Sequence, residues 1–178
     1  MKFPDIRYSY LILIYSEMMK RKSPFWAKII IGILICNAVG LLASFATLPA
    51  ITGWYAELNK PSFNPPDWLF GPVWTTLYTL MGISAAAIWN AGFEHPKIKH
   101  ALSVFGIQLM LNGIWSFLFF GFQNPLLAFI EIIILLIAII FTIIRFKEIK
   151  PWAGWLLIPY LLWVVFASVL NFSIYLLN

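Results

Sequence analysis

Five apolar runs, separated by polar breaks, follow one another along the chain at about 28–48, 73–91, 101–122, 126–144 and 153–177. Each is continuous and close to the roughly 20 apolar residues that a helix needs to cross a hydrocarbon core of about 30 Å. Continuity argues for helices, because the strands of a membrane barrel alternate apolar and polar positions. The predicted fold is all-α: an integral membrane bundle of five transmembrane helices over residues 28–178, preceded by a basic extension over 1–27. Within that extension, residues 8–15 are apolar but too short to span, and no small-residue cleavage site follows them. The segment reads either as an interfacial helix that holds Lys20, Arg21 and Lys22 against anionic lipid, or as an upstream extension if translation starts at Met18 or Met19.

One long stretch is neither apolar nor simply charged. It is WYAELNKPSFNPPDWLFGPVW, residues 54–74, inside the predicted loop 49–72 and the head of the second run. Its prolines Pro61, Pro65, Pro66 and Pro72 fix their own φ and push the preceding residues away from the α region, so Lys60, Asn64 and Gly71 are expected in extended or turn conformations. Pro72 is expected in the first turn of the second helix, where its missing N–H costs nothing. A stiff aromatic segment of this kind forms either the wall or lid of a pocket, or a belt at headgroup level.

Composition bounds the remaining classes. Of 178 residues, 62% are hydrophobic and 11% charged, which leaves one membrane domain and no room for a soluble catalytic one. A net charge of +5 would suggest nucleic acid in a soluble chain, but eleven of the twelve Lys and Arg lie before the first run or between runs two and three and runs four and five. Only Lys60 falls on the other side. The positive-inside rule then places the N-terminus in the cytoplasm and the 49–72 loop outside, in a multi-pass protein in contact with membrane lipid, and the charge is expected to serve topology and no nucleic acid. The lone Cys36 excludes an internal disulfide, and His95 and His100 beside Glu94 read as a solvated turn, one ligand short of a metal site. No cofactor is required by any motif.

Several polar and aromatic groups share helical faces. Trp74, Tyr78, Gly82 and Ala86 recur at i+4 in the second run, with Gly82 and Ala86 forming a small pair that admits a neighbouring helix. The third run carries Gln108, Asn112, Trp115 and Ser116, which lipid would penalise. Glu131, in the fourth, has room to snorkel to the surface or to remain protonated. In the fifth, Pro159 is expected to kink the helix, with Trp163, Ala167 and Asn171 beyond it; Ala167 leaves a gap beside an indole where a flat ligand can stack.

The order of these residues resembles the tryptophan-rich sensory protein and translocator protein family (TspO/MBR). The matching positions are Trp54, Tyr55, Leu58, Lys60, Pro61, Ser62, Pro65 and Pro66 in the loop, and Gly71, Pro72, Trp74, Tyr78 and Gly82 after it. Asn112, Trp115, Ser116, Phe119 and Phe120 follow in the third run, then Pro159, Tyr160, Trp163, Phe166, Ala167 and Asn171 in the fifth. The resemblance covers the chain from about residue 29 onward. It implies a five-helix protein, often a homodimer, that binds porphyrins and related tetrapyrroles, including haem, in a pocket closed by the first loop. It also implies a ligand site at Tyr55, Pro65, Pro66, Trp74, Tyr78, Asn112, Trp115, Trp163 and Ala167. The sterol motif proposed for animal members lacks its basic residue here, since Leu176, Leu177 and Asn178 follow Tyr175. Binding, as receptor, scavenger or regulator, is the expected function. The alternatives are oxidative porphyrin degradation, in which Trp74 and Trp163 would take part, and transport of tetrapyrroles or lipids. No nucleophile–base pair, metal cluster or nucleotide fingerprint supports an enzyme, and no internal repeat supports a transporter.

Overall fold

The computed structural model describes residues 23–178; the expectations about residues 1–22 lie outside the described residues. The architecture is all-helical among these residues. Helix α1 (Phe25–Ile51) leads through Gly53 to a short α2 (Trp54–Glu57), and α3 (Asp67–Asn90) follows an irregular segment. Then come α4 (Pro96–Ser116), continued by a π-helical turn (Phe117–Gly121), and α5 (Pro125–Ile149). A short α6 (Pro151–Trp155) and α7 (Ile158–Leu177) complete the chain.

Four stretches are long and apolar enough to cross a membrane: Phe25–Ile51, Pro96–Gly121, Pro125–Ile149 and Pro151–Leu177. With the outward-facing Leu42, Phe45, Ile130 and Val169 exposed, they make a multi-pass membrane helical bundle. The expected second span is a helix of 24 residues, but it is not among those four: Asp67, Thr75, Thr76, Thr79, Ser84 and Asn90 dilute its apolar character.

Two local expectations are corrected. Helix α3 starts at Asp67, not at Pro72, with Pro66 in extended conformation as its N-cap. Gly71 is therefore helical, and Pro72 lies in the second turn, where it forgoes the bond to the Trp68 carbonyl close to a helix start whose first N–H groups are unpaired in any case. The predicted loop 49–72 shortens accordingly, because α1 runs through Pro49 to Ile51 and α2 occupies part of what remains. The proline in the fifth run acts as expected in kind: α6 stops at Trp155, and α7 restarts at Ile158 with Pro159 in its first turn.

Close approach fixes α1 against α3. A Cβ on Gly82 would lie 2.6 Å from the Gly32 carbonyl carbon and the Ile33 Cα, so the two backbones touch where both residues lack side chains. At the same end, buried Lys28 donates to Asn90 Oδ1 at 3.0 Å and its ammonium lies 5.6 Å from the Trp89 ring. The core between α3, α4, α5 and the last two helices holds Met81, Ile88, Leu135, Ile139, Phe146 and Leu157, all at most 1% exposed. Ser84 donates to the Ala153 carbonyl at 2.6 Å, pinning α3 to α6. Glu131 does not snorkel: it is 7% exposed, and neither carboxylate oxygen has a partner among the described residues.

Candidate functional site

Above the Gly32–Gly82 crossing, the helices border a half-open cavity of about 840 Å³, within the usual range of about 300–1,000 Å³ for small-molecule sites. Tyr55, Trp74, Tyr78, Asn112, Trp115, Trp163 and Ala167, seven of the nine positions expected for a ligand site, border it together. Pro65 and Pro66 do not. They lie on the segment entering α3, and Pro66, as N-cap, sets the start of the turn that carries Asp67, Trp68 and Phe70 to the cavity wall.

The floor is a hydrogen-bonded polar unit. Tyr78 donates its hydroxyl proton to Asn112 Oδ1, and Asn112 Nδ2 donates to the Tyr160 hydroxyl at 3.1 Å, so one amide joins α3, α4 and α7. Trp74 stacks on Tyr78 with ring centroids 5.4 Å apart and planes 29° from parallel. Beside it Trp115 Nε1 donates to Asn171 Oδ1 at 3.1 Å, and Asn171 Nδ2 donates to the Pro125 carbonyl at 2.8 Å. Every polar atom of the two asparagine side chains is thereby used, which matters where an unpaired buried group costs about 1–3 kcal/mol. Trp163 differs: its Nε1 is buried and has no partner among the described residues.

Aromatic packing closes the other end. Tyr55, 4% exposed, packs edge-on against Phe119 and Phe120 with centroids 6.2 and 5.6 Å away. Phe119 and Phe120 belong to the π-helical turn, whose wide winding bonds Phe122 N–H to the Phe117 carbonyl at 2.7 Å and turns their rings toward the cavity. Tyr55 donates to Asn64 Oδ1 at 2.9 Å, and Asn64 Nδ2 donates to the Pro65 carbonyl at 3.0 Å. Burial pushes the Tyr55 hydroxyl up to about 12, the Asp67 charge adds to that, and the Asn64 bond opposes it. The segment is also tied to the last helix: Asn59 N–H donates to Asn178 Oδ1 at 2.9 Å, and Asn178 Nδ2 returns a bond to the Asn59 carbonyl at 3.0 Å. Lys60 does not border the cavity; it donates to the Ala56 and Leu58 carbonyls at 3.2 and 3.3 Å.

The wall supplied by α1 was missed by sequence reasoning. Gly40, Ser44 and Thr47 border the cavity with Asn37. Their spacing of i, i+3, i+7 and i+10 marks one helical face of small and polar residues in an otherwise apolar run, a signal that could have found them. Asn37, Ser44 and Thr47 donate to carbonyls of α1 itself, which leaves their side-chain oxygens as acceptors. Asp67 and Phe70 were also missed, because the true start of α3 was misplaced. The His95 and His100 turn lies on the opposite end of the bundle, where His95 Nδ1 accepts from Lys97 N–H at 3.2 Å and caps α4. No group of three His, Cys, Asp or Glu side chains suited to a metal occurs among the described residues.

Comparisons with known proteins agree with one another. A family model described as the TspO/MBR family matches residues 18–177. The chain is 48% identical over 152 residues to the tryptophan-rich protein TspO of Archaeoglobus fulgidus, covering 85% of this chain and 97% of that protein. It is 36% identical over 124 residues to the human translocator protein, covering 68% of this chain and 73% of that protein. It is 34% identical to the tryptophan-rich sensory protein of Cereibacter sphaeroides, with 86% of this chain and 92% of that protein covered.

Proposed function

The chain belongs to the TspO/MBR family, and from that premise we propose that it is a membrane ligand-binding protein for porphyrin or tetrapyrrole-like molecules, acting as receptor, scavenger or regulator. The observation that carries the reading is the meeting of Trp74, Tyr78, Trp115 and Trp163 around one cavity, with the small Ala167 beside Trp163. A porphyrin is a flat apolar ring, and indole faces give such a ring contact area with little entropic cost. In the same proposal α3 is the fifth span, the α2 segment lies outside, the N-terminus is cytoplasmic, and the chain pairs as a homodimer. The basic residues support that orientation, since Lys28, Lys97, Lys99, Lys147 and Lys150 gather at the end of the bundle away from α2.

Titration of protoporphyrin into the purified protein in detergent tests the binding. Trp74→Ala and Trp163→Ala are expected to weaken it about 5- to 150-fold each, as aromatic anchors do. Trp155→Ala is the control, because Trp155 is exposed at the other end beneath the Lys147 ammonium, 3.9 Å from its ring. Folded variants that bind as tightly as the parent would remove the cavity as the site.

A further inference from the structure

Three basic side chains at the end of the bundle away from α2 are already taken. Lys28 is buried and donates to Asn90 Oδ1, Lys99 pairs with Glu94 at 3.3 Å, and Arg145 pairs with Glu148 at 3.3 Å. Lys147 has no carboxylate partner among the described residues, yet its side chain is fixed from two sides. A Cβ on Gly154 would overlap the Lys147 Cγ and lie 3.0 Å from the Ile143 carbonyl oxygen, so α6 rests directly on the lysine stem. The ammonium stands 3.9 Å from the centre of the Trp155 ring, and both Trp155 and Trp152 are exposed. Lys150, at the joint between α5 and α6, adds a second positive charge without a carboxylate partner among the described residues.

An apolar seam runs from this cation along the lipid-facing side of the bundle. Lys147 and Phe129 are 18 residues apart on α5, five full turns, so they share one face over about 27 Å. Each meets the end of the chain, Lys147 at Trp155 and Phe129 at Phe172, where the ring centroids are 4.8 Å apart. Between them Ile133 and Ile140 on the same α5 face, and Val165 two turns before Phe172, are exposed. One leaflet of the hydrocarbon core is about 15 Å deep, so the seam is long enough to follow a whole acyl chain.

The geometry points to a seat for one anionic phospholipid, with its phosphate on the Lys147 ammonium, its glycerol region beside Trp152 and Trp155, and an acyl chain along the seam between α5 and α7. The ammonium has three N–H donors for phosphate oxygens, and indoles at this level suit the headgroup boundary. A zwitterionic lipid brings its own cation beside the phosphate, whereas an anionic one leaves a charge for Lys147 and Lys150 to offset. A basic residue at the membrane surface favours anionic lipid by about 5-fold. The seat rests on the membrane bundle alone and is independent of the tetrapyrrole reading.

Native mass spectrometry of the protein released from detergent micelles tests it, with phosphatidylglycerol and phosphatidylcholine of the same acyl chains added at equal concentration. The ratio of the two retained lipids is the readout, for the parent, Lys147→Gln, Lys147→Arg, Trp155→Ala and Lys97→Gln, with circular dichroism confirming the fold of each. Lys97 is the control, an exposed lysine at the same end with no aromatic ring beneath it among the described residues. The parent is expected to prefer phosphatidylglycerol, the preference to fall about 5-fold in Lys147→Gln and to fall in Trp155→Ala, and Lys147→Arg and Lys97→Gln to keep it. An unchanged ratio in Lys147→Gln, or an equal loss in Lys97→Gln, would overturn the seat in favour of diffuse attraction. Glycerol 3-phosphate, added as the soluble headgroup at the lipid's concentration, is expected not to displace the lipid. Displacement would mean a bare anion site and would overturn the lipid assignment.

Discussion

Tyr78 fills the space that a side chain on Gly40 would need: a methyl built on Gly40 would overlap the Tyr78 ring. The ring cannot swing away freely, because its hydroxyl is bonded to Asn112 and its face is stacked on Trp74. Gly40 and Gly32 thus give α1 two flat places, one receiving the α3 backbone at Gly82 and the other receiving an aromatic ring. The first brings the helices together, and the second sets the height of the cavity floor.

Gly40→Ala is accordingly expected to destabilise the protein by about 1–3 kcal/mol, the usual cost of overpacking a well-filled site. Thermal unfolding in detergent measures it. The double variant with Tyr78→Phe should recover part of the loss, since removing the hydroxyl releases the ring to move, and the two changes should be non-additive as expected for residues in contact. Strict additivity would show that the two positions do not share space.

Asn112 joins three helices through one amide, and Asn112→Ala strands the Tyr78 and Tyr160 hydroxyls in a buried setting. A loss on the order of 2–4 kcal/mol is expected from two such groups. Asn171→Ala makes the comparison, because it frees the Trp115 indole and the Pro125 carbonyl without touching the floor. It is expected to cost less stability than Asn112→Ala, and chemical or thermal unfolding of both variants decides the order.

How much of this was written in the sequence depends on whether the signal was local. Trp74, Tyr78, Trp163 and Ala167 were legible because helical spacing places aromatic and small residues on one face. Gln108 and Asn112 were legible as polar groups in an apolar run; Asn112 found two partners, whereas the Gln108 amide has none among the described residues. Gly32 and Gly40 were not legible, since each is matched to a residue about 40–50 positions away, Gly82 or Tyr78, and nothing in the local pattern names the partner. The start of α3 failed for a different reason. Pro66 and Pro72 are both compatible with a helix start, and the choice falls to the turn at Asp67, where an acidic first-turn residue favours the positive end of the helix dipole. Misplacing that boundary by five residues hid Asp67 and Phe70 from the site.

Tyr55 supplies a pH dependence with a defined sign. Its hydroxyl is raised from 10.0 to about 12 in the folded protein, so the fold holds this proton more tightly than the unfolded chain does. The contribution is present in full below about pH 10 and is lost as pH rises toward 12. Ultraviolet titration of the phenolate in the parent and in Tyr55→Phe isolates the group. The difference spectrum is expected to show a phenol titrating above the ordinary tyrosine range, with the α2 segment gaining protease sensitivity over the same interval. A Tyr55 phenol that ionises near its ordinary value would mean that the segment does not bury it.

The orientation of the bundle can be decided at its two ends. Asn59 and Asn178 bring the α2 segment to the end of α7, whereas Lys28 and Asn90 mark the opposite end, where Lys97, Lys99 and Lys147 also lie. A charge distribution of this kind favours the basic end in the cytoplasm. Cys36 is buried and is replaced by Ala to leave a cysteine-free background. Single cysteines are then placed at Ser62 and at Lys99, both exposed and on opposite ends. An impermeant maleimide applied to intact cells is expected to label the Ser62 variant and spare the Lys99 variant, with both labelling after permeabilisation. The reverse result would turn the cavity mouth, with Asp67 on its rim, toward the cytoplasm, and any ligand would then have to be supplied from inside the cell.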